Sequence, residues 1–431
     1  MTRIAKWALD LARFDVRSTL PAAIQAIMQN GMLERTFEDA LVPDFLYPAL
    51  ASSRPWQANL GDTATFTRTG LLTPQTTPLG GADPSAGTYG VEQYSVTMDQ
   101  YGFAVDTNML QSAMTLASKF LEDIQKLGIN AGQSINQVSR NKLYKAYAGG
   151  RTWATTAGSS DTSIIVASVN GFDKVLVNGV LTPVSVTNPL TVTINGVGNT
   201  VVGANAGTST LTLGTARADV VGDPVIAANA PVSVRFTGRN TPYDYTGSDT
   251  VTMAMFRAAV TRLRSMNVPT LGGNYIAHIP AATEGELFAD TDFKQAYQGR
   301  GDSQVFGSMS IGTFAGIDWV RNNESPTVLG GSAGNVTVYE PIVLGGDALI
   351  AAPFADMASL LAGTGVEDVP NIRMVGPANG LEVALVVRPP QDRLQQVIGS
   401  AWSYVGDFAV PSDSTTGDAA LYKRGVVVFH A

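Results

Sequence analysis

The 431-residue chain predicts an α+β fold with a long spine helix, an extended β-hairpin and an inserted all-β domain. Three observations carry that prediction. Two runs, "DTATFTRTGLL" and "EQYSVTMDQYGFAV", alternate with the two-residue period of strands. From Asn108 to about Tyr147 the apolar period lengthens to three and four residues, as in an amphipathic helix. Residues 161–239 are rich in Val, Thr, Gly and Asn and nearly free of charge.

Taken in order, residues 1–60 read as an arm rather than a domain with its own core. Helices are expected at 3–14 and over "LPAAIQAIMQNGMLERTFEDAL", then "VPDFLYPALASSRPW", with Phe37, Phe45, Tyr47 and Trp56 as aromatic anchors of an irregular segment. Residues 61–103 form the hairpin. Its tip, "TPQTTPLGGADPSAGTYG", is too rich in Pro, Gly and Thr to pack as a core element. An isolated hairpin is barely stable in water, so this one is expected to lie on a neighbouring molecule.

The helix falls in a unit spanning 104–160, with Leu110, Met114, Ala117, Leu121, Ile124, Ala131, Ile135 and Val138 on its apolar face. At 1.5 Å per residue it would span roughly 55–60 Å, which suits a structural spine. Gly128 and Gly132 read as places where it kinks or breaks.

Within 161–239, Asn170-Gly171, Asn178-Gly179 and Asn195-Gly196 are type I′ hairpin signals, and the segment is expected to fold as a separate lobe. The unit 240–377 begins with a helix over "SDTVTMAMFRAAVTRLRSMNVP", with Ser248 or Asp249 as cap and Pro269 as stop. "NYIAHIP" then reads as a short buried strand closed by Pro280. Thr283 with Glu286 three residues on reads as a capping box opening a helix. A Gly-punctuated pair of strands follows in "FGSMSIGTFAGIDWVRNN", and residues 378–431 supply closing strands.

Composition excludes several chemistries. Apolar residues make up 45 % of the chain, ample for a core, while charged residues at 15 % are sparse for a soluble surface. Such a chain is expected to cover much of its exterior with copies of itself. A net charge of −8 argues against binding nucleic acid through phosphate neutralisation. The absence of cysteine removes disulfides, thiolate nucleophiles and cysteine-ligated metals. The N-terminus lacks the apolar stretch of a signal peptide, and no run approaches the roughly 18 apolar residues of a membrane helix, so synthesis in the cytoplasm is expected.

The chemical motifs are weak. The two histidines, His278 and His430, stand far apart in sequence, and His278 sits in the strand pattern as framework. The Gly-rich "GLLTPQTTPLGG" and "VLGGSAGN" lack the strand, helix and Lys-Ser/Thr ending of a phosphate loop. Arg300-Gly301-Asp302 reads as a solvated loop, and Glu34, Glu38 and Asp39 as charge on a helix surface. No catalytic, cofactor-binding or metal-binding residue is assigned, and no enzyme class is supported.

The order of parts resembles the major capsid protein of tailed double-stranded DNA phages. In that family the parts are called N-arm (here 1–60), E-loop (61–103), P-domain with spine helix (104–160) and A-domain (240–377), with 378–431 returning to the P-domain. The stretches "NYIAHIPAATEGELFAD", "FGSMSIGTFAGIDWVRNNESP" and "AWSYVGDFAV…ALYKRGVVVF" carry the local likeness, and 161–239 lies outside it. The resemblance implies a shell subunit that assembles into pentamers and hexamers around a phage genome. It also implies a place in the virion, no cofactor, and separate scaffolding, portal and decoration proteins. His278 would be a core residue of the A-domain sheet. Some relatives crosslink through a hairpin lysine, but residues 61–103 contain none. Only about 55 residues precede the hairpin, so scaffolding is expected on a separate protein. Encapsulin-type compartments resemble the same fold, and a surface-layer or adhesin-like protein is a more distant alternative.

Overall fold

A computed structural model of the chain describes residues 32–56, 61–298, 312–355 and 372–431, apart from 71, 73, 79–82, 85, 111–118, 377–380, 389, 391–392, 395 and 415–418. The helix expected at 3–14, the start of the next one and Arg300-Gly301-Asp302 lie outside the described residues. The chain divides into two units. One comprises the described parts of Met1–Ala64, Val96–Ser139 and Ala351–Phe408; the other comprises Thr65–Ser95, Arg140–Ile350 and Ala409–Ala431.

The described chain opens with α1 (Met32–Leu41) and the short strand β1 (Ser52–Ser53). Next come β2 (Thr63–Thr69), β3 (Val91–Thr97), β4 (Asp99–Asn108) and α2 (Lys119–Tyr147). The charge-poor region holds β5 (Arg151–Trp153), β6 (Gly158–Ile165), β7 (Lys174–Val177), β8 (Val180–Pro183), β9 (Leu190–Ile194), β10 (Val197–Asn205), β11 (Thr210–Asp219) and β12 (Pro224–Ala227). Then follow β13 (Ser233–Val234), α3 (Met253–Ser265), β14 (Tyr275–Ile279), α4 (Ala281–Ala289), α5 (Thr291–Gln298), β15 (Thr313–Phe314) and β16 (Ile317–Arg321). The last strands are β17 (Thr327–Gly330), β18 (Val336–Tyr339), β19 (Ile342–Leu344), β20 (Ile350–Pro353), β21 (Ile372–Val375), β22 (Val383–Arg388), β23 (Val397–Ala409) and β24 (Gly425–Val428).

In the first unit, α2 buries Phe120, Ile124, Leu127, Ala131 and Ile135, a helical stripe in which Phe120 and Leu127 join residues expected from the sequence. Leu121 and Val138 stand at its margin, half-buried. The helix runs unbroken through Gly128 and Gly132. Those glycines are contact points, not kinks. A Cβ at Gly128 would lie 2.7 Å from the carbonyl oxygen of Phe37, and one at Gly132 would lie 2.7 Å from that of Leu41. α1 therefore rests directly on the α2 backbone, with Leu33, Phe37 and Leu41 buried on its inner face. Just beyond, Asn136 Oδ1 accepts the Tyr47 N–H at 2.9 Å. The sheet of this unit has the order β1-β20-β23-β22-β21, with β4 also on β23. β4 pairs antiparallel from Asp99↔Gly406 to Asn108↔Val397, so residues 99–103, expected in the hairpin, belong to this sheet.

The second unit holds a sheet of order β13-β24-β19-β14-β16-β15, with α3 packed on it through Phe256, Ala259, Val260 and Leu263. β24 is the second strand of this sheet and α3 packs on it, so 425–428 belongs to the second unit. The α3 cap also differs from expectation. Its N-cap is Thr252, whereas Asp249 instead accepts from the Thr246 N–H at 2.8 Å. The free N–H groups before and at the start of α3 are met by carboxylates of the next helical region. Val251 N donates to Glu286 Oε2 at 2.7 Å, and Met253 N to Asp290 Oδ2 at 2.8 Å. Pro280, not Thr283, is the N-cap of α4. Thr283 lies inside the helix, fully buried.

The charge-poor region forms a second six-stranded sheet, β5-β12-β9-β10-β11-β6, over its own core of Leu190, Val192, Ile194, Val201, Leu211 and Val225. Two of the three Asn-Gly pairs make the expected tight hairpins: Asn178-Gly179 joins β7 to β8, and Asn195-Gly196 joins β9 to β10. All four residues have positive φ, as a type I′ turn requires. At Asn170-Gly171 only the glycine does, and no hairpin forms there. The region is not a closed lobe. β7 and β8 leave its sheet and join the β2–β3 hairpin in a four-stranded sheet of order β2-β3-β8-β7.

The α1–α2 contact makes a specific prediction. Alanine has a helix propensity about 1 kcal/mol better than glycine, so Gly132→Ala would stabilise an uncrowded helix. Here the new methyl meets a backbone oxygen that cannot rotate away. Gly132→Ala is expected to destabilise the first unit by about 1–3 kcal/mol in denaturant melts; a rise in stability would mean that α1 does not sit on this face.

Candidate functional site

The hairpin is the most distinctive feature, and its root is tied to its own chain. No residue of β2 is buried. β3 buries Glu92, Tyr94 and Val96, and Tyr94 stacks on Phe66 of β2 with ring centroids 5.6 Å apart. β3 touches β8 in parallel register at Gln93↔Val180, and Gln93 N donates to Gly179 O at 2.9 Å. The hairpin thus has an intramolecular platform where the sequence reading placed it wholly on a neighbour.

A polar clasp holds the root. The Glu92 side chain accepts from the Ser412 N–H through Oε1, from Ser412 Oγ at 2.7 Å, and from the Asp413 N–H through Oε2 at 3.0 Å. Asp413, at a left-handed φ of 53°, presents its carboxylate to Arg68 Nη1 at 2.9 Å and to Arg424 Nε at 2.9 Å. Both arginines also reach Asp347 Oδ2, at 3.4 Å each. A strand of the hairpin, the turn at 346–347 and the C-terminal segment are thereby joined. Around the platform, Leu72, Tyr89, Val91, Val180 and Val186 remain exposed, Val186 at 82 %.

The two histidines occupy different settings. His278 is buried at 1 % in β14, paired with Val320 on one side and Ile342 on the other. Asn322 Oδ1 takes the Glu324 N–H at 3.0 Å, which turns its Nδ2 toward His278 Nδ1 at 3.3 Å. Nδ1 must then accept, which assigns the neutral ring with its proton on Nε2. Burial pushes the His278 pKa down to about 3.

His430, which the sequence reading left without a role, lies beside Thr283 and Glu286. Its Nε2 is 2.6 Å from Thr283 Oγ1, and its Nδ1 is 3.0 Å from Glu286 Oε2 but out of line for a hydrogen bond. A hydroxyl, an imidazole and a carboxylate in series are the elements of a nucleophilic triad. Thr283 and His430 are both 0 % exposed, so no substrate reaches the hydroxyl, and the cluster instead pins the chain end to α4.

The remaining motif residues disperse. Glu34 pairs with Arg373 at 3.0 Å on the surface of α1, and Glu38 and Asp39 are exposed beside it. "VLGGSAGN" is the turn of the β17–β18 hairpin. "GLLTPQTTPLGG" is only partly within the described residues. Among the described residues no three of His, Asp and Glu are grouped to hold a metal ion. No described helix is long and apolar enough to cross a membrane.

No protein-family model matches the chain, and no curated protein sequence does. Solved structures do. The capsid of Ralstonia phage GP4 matches at 12 % identity and TM-score 0.48, over 88 % of this chain and 87 % of that one. The capsid of cyanophage P-SCSP1u matches at 11 % identity and TM-score 0.49, over 90 % and 88 %. The capsid of cyanophage Pam1 matches at 11 % identity and TM-score 0.46, over 91 % and 92 %.

Two predictions come from these groups. Removing the clasp with Glu92→Ala leaves three buried donors unmet and should cost about 1.5–3 kcal/mol. Faster amide exchange should appear at 91–97 and 412–413 together; exchange confined to one of them would deny the link. For His278, the unfolded ring gains a proton near its ordinary pKa of 6.5, whereas the folded ring resists protonation down to about 3. Stability is therefore full above pH 6.5 and falls as pH drops through that window, by on the order of a few kcal/mol. His278→Asn should flatten this acid limb; an unchanged slope between pH 6 and 4 would refute the neutral assignment.

Proposed function

We propose that this chain is the subunit of an icosahedral shell, a major capsid protein that assembles into pentamers and hexamers around phage double-stranded DNA. The observation that carries the reading is the hairpin. No residue of strand β2 is fully buried within its own molecule, yet its root is locked by a buried carboxylate and two arginines. A fixed root with an uncovered strand suits an element that is completed by another copy. Exposed Leu72, Tyr89 and Val91 supply apolar area for that contact.

The chemistry is geometric. A ring closes when each copy buries a heterologous patch on the next, and one sequence must then meet several non-identical neighbours. The few surface charges limit the repulsion that a net charge of −8 would otherwise impose on close-packed copies. The same acidity lets the inner wall face DNA without holding it. Scaffolding, portal and decoration functions would reside on separate proteins, with the virion as the final location and the host cytoplasm as the site of synthesis.

Electron microscopy of the purified chain, expressed with and without the genes that neighbour its own, tests this directly. Closed shells or six-fold rings are expected, and particles filled with enzyme cargo in place of DNA would favour an encapsulin-type compartment. Replacing 73–90 by a short Gly-Ser turn should leave the melting transition intact while shell yield falls at least tenfold. Normal yield from that variant would remove the hairpin from assembly.

A further inference from the structure

The second unit carries an open cavity of about 490 Å³ whose lining includes Tyr144, Arg151, Trp153, Arg235, Tyr245 and Glu340. That volume is in the range of pockets for small organic ligands, and Tyr144, Trp153, Tyr245 and Phe429 give part of the wall aromatic faces. Nothing described so far uses it.

Its charges are unbalanced. Arg151 makes no side-chain hydrogen bond or ion pair with any described residue, and its Nε is sealed from solvent without a partner. Burial first, and then the fields of Arg235 and Arg262, lower its pKa to about 10. The Asp244 carboxylate partly offsets Arg235, whereas no carboxylate does so for Arg151. Arg235 donates to Ser233 Oγ at 3.1 Å and to the carbonyls of Arg239 and Asn240 at 3.2 and 2.8 Å, all neutral acceptors. Two guanidinium groups lining one cavity, with Arg151 lacking a carboxylate partner among the described residues, form a candidate anion site.

Glu340, also on the lining, does not fill that role. It is 5 % exposed, and its backbone carbonyl accepts from Tyr144 Oη at 2.9 Å. Burial alone lifts its pKa to about 8, so at neutral pH it is a protonated acid that can donate a hydrogen bond. The cavity therefore offers two cations, aromatic walls and a neutral donor.

We infer that this cavity binds a small organic oxyanion, a carboxylate or phosphate ester on a flat apolar body, with Arg151 and Arg235 on the charged group and Tyr245 and Trp153 against the body. The assignment is independent of the shell reading, because it needs only the folded monomer.

Calorimetric titration of the full chain at pH 7 with phenyl phosphate, benzoate and inorganic phosphate tests it. The two aryl anions should bind at least tenfold more tightly than inorganic phosphate, because only they fill the walls. Arg151→Met should weaken both at least tenfold, and Val328→Trp, placed on the lining to occupy the space, should abolish binding. Circular dichroism and the melting temperature show that each variant is folded; Arg151→Lys, which keeps charge but loses the fork, should bind at an intermediate level if Arg151→Met does not fold. No heat with any probe up to 10 mM, or unchanged affinity in a folded Arg151→Met chain, would overturn the assignment.

Discussion

A carboxylate placed in a protein interior must be met by donors, and at Glu92 that requirement organises the hairpin root. Its oxygens accept from two backbone N–H groups and one hydroxyl, all on Ser412 and Asp413, some 320 positions away in the chain. Backbone donors converge in this way only if the segment takes one local shape, and Asp413 adopts a left-handed φ of 53°. That shape turns the Asp413 carboxylate outward between Arg68 and Arg424. One buried acid thus sets the path of a hairpin strand, of the C-terminal segment and, through Asp347, of the turn before β20. A strand with no buried residue can hold its direction because its partner strand is tied down in this way.

Features with a local cause were legible in the sequence. The apolar stripe of α2 and the turns at Asn178-Gly179 and Asn195-Gly196 follow from periodicity and from backbone sterics, both confined to a few residues. What the sequence concealed depends on partners far along the chain. Thr283 and Glu286 match a capping box by spacing, but Glu286 spends its oxygen on the Val251 N–H, and the helix has already begun at Ala281. Gly128 and Gly132 look like helix breakers until α1, some 90 residues earlier, is seen lying on them. The candidate sites were hidden for the same reason. No window of sequence holds both Glu92 and Ser412, or both Arg151 and Arg235.

The buried polar groups fall into two kinds. His278 and Asn322 are joined through oriented groups, with Asn322 Oδ1 taking the Glu324 N–H, an arrangement that specifies side-chain geometry. His430, Thr283 and Glu286 likewise tie the end of the chain to α4, and Glu286 carries the tie on to the residues before α3. Arg151 differs, because its unmatched Nε–H belongs to a side chain that lines a cavity. Proximity of reactive groups alone would have selected the His430 cluster as a site; accessibility reverses that choice.

The clasp also bears on how one sequence could meet unlike neighbours. Cross-hairpin bonding extends from the root to Gly70 N donating to Gly90 O at 2.8 Å, and none of the described residues between those two glycines lies in a strand. Conformational adaptation that reached the root would have to break the Glu92 bonds and expose a buried carboxylate, along with the Arg68–Asp413–Arg424 pairs. Adaptation at the described residues between Gly70 and Gly90 breaks none of these. A shell built from this chain would therefore confine its departures from exact symmetry to the tip. The root and its platform of β7 and β8 would stay the same in every copy.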